Sequence, residues 1–456
     1  MPDYNFHDTN LSLLYCGGAK VAKGGTIFKS LKINGWRQFQ SIDIDFHPRL
    51  TVITGTNGAG KSTILNILSM HVGISRQYYA LPHRRGNILS YLPGIFNIPK
   101  KLFKWIVPDR TPFQQYLGEI SYSNDITSKI VIPTSPGLAY DVTLENQQNI
   151  VGFHMPSHRL LPHYQPVANL SFSGIEPNVS FQMLIGETYS GFRGQNTGNS
   201  LLYQLKQILA SWAAIGEGNS SLRPRSNQLA AYNGFIDVLR RVIPKEIGFQ
   251  GIEIEPPDIL VKTDTGTFII DSCSGGLLTM IEIAALIYTC SLRDDVTGKR
   301  FVVTFDEPEN HLHPSLQRSL LPTLVNTFPD VQFIVATHSP FVVSSLKDSS
   351  VYVLRYMDSE KSLSGQDLIP IANRRIESLK LESFDRSGNA SEILREVLGV
   401  TVTFPQWVEA DLETIVKKYQ NSALTEEVIK AIKSDIDKAG LEEMFSEALT
   451  LIGERK

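Results

Sequence analysis

The run Gly55-Thr56-Asn57-Gly58-Ala59-Gly60-Lys61-Ser62 matches GxxxxGK[ST] in full and constrains the fold more than any other feature of the chain. It follows the apolar segment Leu50–Thr54 and opens the segment Thr63-Ile-Leu-Asn-Ile-Leu, so strand, loop and helix come in the order the motif requires. A bland glycine-rich turn would need no such register. Glycines let backbone N–H groups turn inward around phosphate oxygens, and the helix N-terminus adds its positive dipole end. The motif predicts that Gly55 to Thr63 cradle a nucleotide, that Lys61 reaches the β- and γ-phosphates, and that the Ser62 hydroxyl binds Mg²⁺.

Three further segments complete a phosphate-handling set. Phe301-Val-Val-Thr-Phe-Asp306-Glu307-Pro308 reads as a buried parallel strand ending in two acids, where α/β sheets bind ligands. Asp306 is expected to hold Mg²⁺ and Glu307 to polarise an attacking water. Ile334-Val-Ala-Thr-His338 is a second apolar strand, ending in a histidine placed to sense a γ-phosphate. A lone histidine is usually structural, and only its place after a core strand argues otherwise. Ser274-Gly275-Gly276 precedes a helix with apolar Leu277, Leu278, Ile281, Ala284 and Ala285. It is an anion-binding device that is weak alone and strengthened by its position between phosphate loop and carboxylate strand.

Composition narrows the class. The 456 residues carry 43 Lys plus Arg against 46 Asp plus Glu, a net charge of −3, which argues against a polybasic protein. Three cysteines without a CxxC argue against a zinc site or a disulfide framework. No apolar run approaches the ~20 residues needed to span a bilayer. The N-terminus lacks a basic-then-apolar signal, and a cytoplasmic location is expected.

Along the chain, residues 1–25 read as a flexible leader. Residues 26–170 read as an ATPase lobe with strands at Phe28–Ile33, Ile42–Phe46 and Leu50–Thr54, the phosphate loop, and an antiparallel β subdomain. Residues 171–260 read as an inserted helical lobe, from apolar spacing at Leu201, Leu205, Ile208, Leu209 and Trp212. Residues 261–390 return to the ATPase lobe, with Val351–Leu354 as its final strand. Residues 391–456 are helical and hold 13 acidic and 8 basic residues. Asp435-Ile436-Asp437 lies in an amphipathic helix there and reads as a solvated face.

Together these segments resemble the ABC-type ATPase head over roughly residues 26–355. The resemblance implies an α/β fold, a P-loop mixed sheet with an antiparallel β subdomain, an inserted helical lobe and a C-terminal helical tail. Ser274-Gly275-Gly276 resembles the family signature, with Cys273 and Leu277 departing from the commoner LSGGQ flanks. Asp306 and Glu307 look like the Walker B pair, and His338 like the switch histidine. Gln165 is a loose match to the Q-loop glutamine that assists the metal, with His158 and Arg159 competing for that region. In this family two heads sandwich ATP, so each signature serves the other subunit's phosphate loop. That implies ATP and Mg²⁺ as cofactors and a homodimer or higher even oligomer.

The segment Glu309-Asn310-His311-Leu312-His313-Pro314 looks like the loop after Walker B in the SMC, RecF and OLD-like branch. The 213 residues from Lys61 to Ser274 and the lack of a membrane segment disfavour a transporter subunit. OLD-like nucleases append a Toprim domain, but only 118 residues follow His338, so no nuclease site is expected in this chain. Ser383–Val400 and the acidic helices after it are similar to the tail of Septu-type (PtuA-like) anti-phage ATPases. That resemblance implies a sensor or regulator of a separately encoded HNH-type nuclease. The alternative is a RecF/SMC-like DNA-repair ATPase that binds DNA. Its candidate contacts are Arg84, Arg85, Lys100, Lys101 and Lys104, together with Arg223, Arg225, Arg240 and Arg241.

Overall fold

The computed structural model describes residues 24–85, 88–92, 114–133, 138–157, 163–171, 173–195, 198–358 and 374–382. In the tail it describes 393–394, 406–419, 425–441 and four positions between 445 and 452. Most of the expected leader, and also His158, Arg159, Lys100, Lys101, Lys104 and most of Ser383–Val400, lie outside the described residues. The chain forms two compact units, Met1–Gly388 and Asn389–Lys456.

The first unit opens with β1 (Phe28–Trp36), β2 (Phe39–Asp45) and β3 (Leu50–Gly55), then α1 (Lys61–Ser69). Short strands β4 (Tyr78–Tyr79), β5 (Leu81–Arg85) and β6 (Ile88–Leu92) precede β7 (Gln114–Tyr122) and β8 (Thr127–Pro133). After β9 (Ala139–Tyr140), β10 (Thr143–Glu145) and β11 (Gly152–Met155) come three helices, α2 (Pro177–Phe192), α3 (Leu201–Glu217) and α4 (Ser226–Val242). Next are β12 (Phe249–Glu255), β13 (Asp258–Thr263), β14 (Gly266–Ile269) and α5 (Gly275–Ser291). The unit ends with β15 (Phe301–Asp306), α6 (Pro314–Thr327), β16 (Val331–Ala336), α7 (Pro340–Val343), β17 (Ser350–Asp358) and β18 (Arg374–Leu381).

One mixed sheet dominates, eleven-stranded among the described residues, in the order β10-β8-β7-β1-β2-β18-β17-β3-β16-β15-β11. From β17 to β11 neighbouring strands are parallel, whereas β2, β1, β7, β8 and β10 pair antiparallel. β3 and β16 are buried at every position and β15 at all but Asp306, as continuous apolar runs covered on both faces should be. Ile64, Leu65, Ile67 and Leu68 of α1 join the core that includes Ile53, Ala336, Tyr352 and Leu354.

Two sequence expectations change. Val351–Leu354 is not in the final strand: β18 follows and lies between β17 and β2, joining the parallel and antiparallel parts of the sheet. Its charged sequence, with only Ile376 and Leu381 buried among the residues whose side chains are described, hides the strand from hydrophobic patterning. Polar side chains supplement its ladder: Ser378 Oγ accepts from Asp43 N–H at 2.8 Å, and Arg375 donates to Gln40 at 2.6 Å. Likewise residues 249–260 are not helical. They enter the separate antiparallel sheet β12-β13-β14, in which β12 mixes half-buried with exposed side chains and β13 alternates half-buried with buried ones.

The second unit has its own core. Helices α8 (Gln406–Tyr419) and α9 (Glu426–Lys438) bury Val408, Leu412, Ile415 and Val416 with Ile432, Ile436 and Leu441. Asp435 joins the helices by accepting from Lys418 at 2.6 Å and Tyr419 at 2.8 Å, so one acid of the Asp435-Ile436-Asp437 run is a helix tie. Among the described residues no helix is long and apolar enough to cross a membrane.

Gly152 marks a close approach that any side chain would break. A Cβ there would lie 1.8 Å from the Val302 carbonyl oxygen in the neighbouring backbone. Gly152→Ala should therefore push β11 off β15 and cost at least ~2 kcal/mol. Urea unfolding would show a lowered midpoint, and an unchanged midpoint would contradict this packing.

Candidate functional site

Strand register assembles the site. Asp306 pairs with Ala336, and Ala336 with Ile53, so β15, β16 and β3 end level with one another. The residues just past those ends therefore converge. Glu307 N–H donates to Ala336 O at 2.9 Å, Thr337 N–H to Ile53 O at 3.0 Å, and the Thr54 hydroxyl to Thr337 O at 2.9 Å.

The phosphate loop sits at this edge. Gly60 caps α1 at φ 92°, and a Cβ on it would lie 2.5 Å from Phe39 Cζ and 2.7 Å from Gln38 Nε2. Only glycine accommodates both that conformation and that contact. Lys61 is buried, and its ammonium donates to Gly55 O at 3.0 Å, Thr56 O at 3.2 Å and His338 Nε2 at 2.6 Å. Burial lowers the Lys61 pKa to about 8, against the raising influence of Glu307, Asp306 and Glu309. The His338 pKa is also lowered, by burial and then by Lys61, consistent with a neutral ring that accepts at Nε2.

His338 Nε2 lies 3.6 Å from Glu307 Oε1. Glu307 has φ 50°, a conformation non-glycine residues rarely adopt. Asn310 holds it there: its N–H donates to Glu307 O at 3.2 Å and its amide to Oε2 at 3.1 Å. Strain that surrounding contacts enforce is characteristic of functional positions.

Asp306 hydrogen-bonds Ser62, and burial raises its pKa. A hydroxyl and a carboxylate within reach of one another suit a hard divalent cation whose remaining ligands are phosphate oxygens and water. Among the described residues there is no cluster of three His, Cys, Asp or Glu able to hold a metal alone. Cys273 is not a poised nucleophile, because burial and then Asp271 push its thiol up to about 12.

Two expected residues stand apart from this cluster. Gln165 donates its side-chain amide to Gly198 O at 2.8 Å and accepts from Ser200 at 3.4 Å, so its side chain is engaged with the approach to α3. Ser274 caps α5 by accepting from Leu277 N–H at 3.4 Å, and it is exposed with Gly275. The groups nearest to Gly275 and Gly276 are His311, Leu312 and Leu316, not residues of the phosphate loop.

One member of the cluster escaped the sequence reading. Glu309 is 6% exposed, accepts from the Thr337 hydroxyl, and has its other carboxylate oxygen unpartnered. Burial raises its pKa. It lies directly behind the turn that carries His338. Its sequence signal was an acid in the loop after Glu307, with no partner visible in the chain order.

The charge state of Lys61 makes a testable prediction. Without a ligand the ammonium loses its proton as pH rises through about 8. Phosphate oxygens favour the ammonium, so nucleotide binding near pH 9 should take up close to ~1 proton and weaken as pH rises further. Titration calorimetry in buffers of different ionisation enthalpy measures the uptake. No uptake at pH 9 would mean that Lys61 is already charged in the free protein.

Comparison with known proteins shows what the chain is similar to. A family model described as an AAA domain matches residues 30–73, and one described as "AAA domain, putative AbiEii toxin, Type IV TA system" matches residues 239–344. The Septu protein PtuA of Bacillus thuringiensis is 25% identical over 416 residues, covering 85% of this chain and 88% of that protein. The retron Ec83 probable ATPase of Escherichia coli is 21% identical over 417 residues, covering 76% of this chain and 75% of that protein. The SMC head domain from Thermotoga maritima aligns with 78% of this chain and 99% of its own at 15% identity, with a TM-score of 0.38. The chain folds around one large mixed α/β sheet, and its sequence is similar to the Septu protein PtuA and the retron ATPases.

Proposed function

We propose that the chain binds ATP with Mg²⁺, hydrolyses it in a site completed by a second copy, and uses the nucleotide state to control a separately encoded HNH-type nuclease in a bacterial anti-phage complex. The observation that carries the ATPase reading is the meeting of Lys61, His338 and Glu307 at the ends of three parallel strands. The defence assignment rests on the similarity to the Septu protein PtuA along most of the chain.

The N–H groups of Gly58 to Thr63 and the Lys61 ammonium bind the phosphates. Lys61 exchanges its contact with His338 for the γ-phosphate, which lets the His338 ring turn to donate an N–H to a phosphate oxygen. Glu307, held by Asn310 through Oε2, orients the attacking water and accepts its proton as the bond between the γ-phosphorus and the β–γ bridging oxygen breaks. Ser62 and Asp306 would hold Mg²⁺, which supplies charge neutralisation on the β- and γ-phosphates. Ser274, Gly275 and Gly276 face outward at the start of α5, a placement suited to capping the γ-phosphate of a facing copy. Two of the candidate DNA contacts form exposed ion pairs, Arg225 with Glu176 and Arg240 with Asp237.

Glu307→Gln should keep ATP binding and lower steady-state hydrolysis at least ~10²-fold, while Lys61→Ala should weaken binding itself. Unchanged hydrolysis by purified Glu307→Gln protein would remove Glu307 from its role. Ser274→Arg should abolish hydrolysis, and mixing it with Lys61→Ala protein should restore part of it, because one of the two sites in a mixed dimer carries neither lesion.

The tail is proposed to bind the nuclease or a neighbouring subunit, since an acidic helical unit with its own core repels phosphate backbones and suits a protein partner. Deleting residues 391–456 should leave ATP affinity within about twofold and abolish co-purification with the partner. Elution of the truncated protein in the same complex as the full chain would refute this role.

A further inference from the structure

Among the described residues, the most deeply buried charge pair of the first unit lies outside the phosphate cluster. Lys206, on α3, has a fully buried side chain, and its ammonium donates to both carboxylate oxygens of Asp271, at 2.9 and 2.8 Å. The Asp271 side chain is 6% exposed. The same ammonium donates to the backbone carbonyl of Gln165 and lies 5.3 Å from the centre of the Tyr164 ring. A single cation therefore binds three separate segments: the stretch around Gln165, the inserted helical lobe, and the turn before α5.

That turn is short and tightly wound. Ile270–Ser272 forms one turn of 3-10 helix, closed by Cys273 N–H donating to Ile270 O at 3.2 Å and by the Ser272 hydroxyl donating to Ile269 O at 2.8 Å. Asp271 is its middle residue, and Ser274 follows three positions later. Anchoring Asp271 thus sets the direction from which the chain enters Ser274, Gly275 and Gly276. The outer end of the anchor is also braced: Gln165 bonds Gly198 and Ser200, and Ser200 caps α3 by accepting from Tyr203 N–H at 3.1 Å. A buried pair of this kind adds little net stability over an apolar substitute, so its hydrogen bonds bear on geometry more than on stability.

We propose that Lys206 is a positioning residue for the Ser274-Gly275-Gly276 turn, acting through Asp271 and coupling that turn to the Gln165 segment. The inference deepens the proposed ATPase and rests on the two-copy site. It predicts a defect that appears in the facing subunit's site, not in the phosphate loop of the chain that carries the lesion.

The test uses the full-length double variant Lys206→Met/Asp271→Leu, which leaves neither charge buried alone. ATP affinity should stay within about twofold, while turnover at saturating ATP falls at least about tenfold. Mixing this variant with Lys61→Ala protein should restore part of the turnover, as mixing Ser274→Arg with Lys61→Ala does. Asp271→Asn keeps an acceptor for Lys206, should show a smaller drop in the same direction, and carries the comparison if the double variant melts early. A folded double variant with turnover within about twofold of the original protein overturns the proposal. So does a loss that Lys61→Ala protein fails to restore while it restores Ser274→Arg, since the damage then lies in the variant's own phosphate loop. If Ser274→Arg itself is not restored, the two-copy reading falls and takes this inference with it.

Discussion

The buried ammonium of Lys61 is the interaction around which the site is organised. Its ammonium donates to two backbone carbonyls and a neutral imidazole, and burial draws its proton affinity down. A cation in that state gains strongly from an incoming phosphate. The acids that would neutralise it, Asp306, Glu307 and Glu309, stand close enough to raise its pKa but are individually held elsewhere: Asp306 by Ser62, Glu307 by Asn310 and Glu309 by Thr337. Each of these carboxylates has a neutral hydrogen-bonding partner.

That arrangement depends on the sheet. The three central strands end level because their register is parallel and continuous, and parallel strands are stable only when helices cover both faces. Burial of β3, β15 and β16 is therefore as much a condition of the site as the polar residues that follow them. β18 extends the same logic outward. By joining β17 to β2 it connects the sheet half that carries the phosphate loop to the β1–β2 hairpin, whose Gln38 and Phe39 press against Gly60. The shape of the loop is thus set both from within its own glycines and from outside by a hairpin.

The Lys206–Asp271 pair shows how the inserted lobe can be more than an appendage. A lobe attached only by its chain ends would be free to reorient. Here a buried charge from its middle helix reaches the turn before α5, and the same charge binds the carbonyl of Gln165. Any rearrangement of the lobe must either carry that turn with it or expose two charges.

Much of this was legible in the chain. The phosphate loop, the acid-ended strand and the histidine-ended strand are local patterns, because backbone conformation and strand burial depend on residues that are neighbours in sequence. The helical spacing of residues 201–212 identified a helix of the lobe for the same reason. β18, the three-stranded sheet over 249–269, the buried Glu309 and the Lys206–Asp271 pair were settled only in three dimensions. In three of these, a polar or charged residue is stabilised by a partner distant in the chain: Ser378 with Asp43, Glu309 with Thr337, Lys206 with Asp271 across 65 positions. Sequence periodicity registers burial of apolar groups, but a buried charge becomes intelligible only when the fold brings its counter-charge to it.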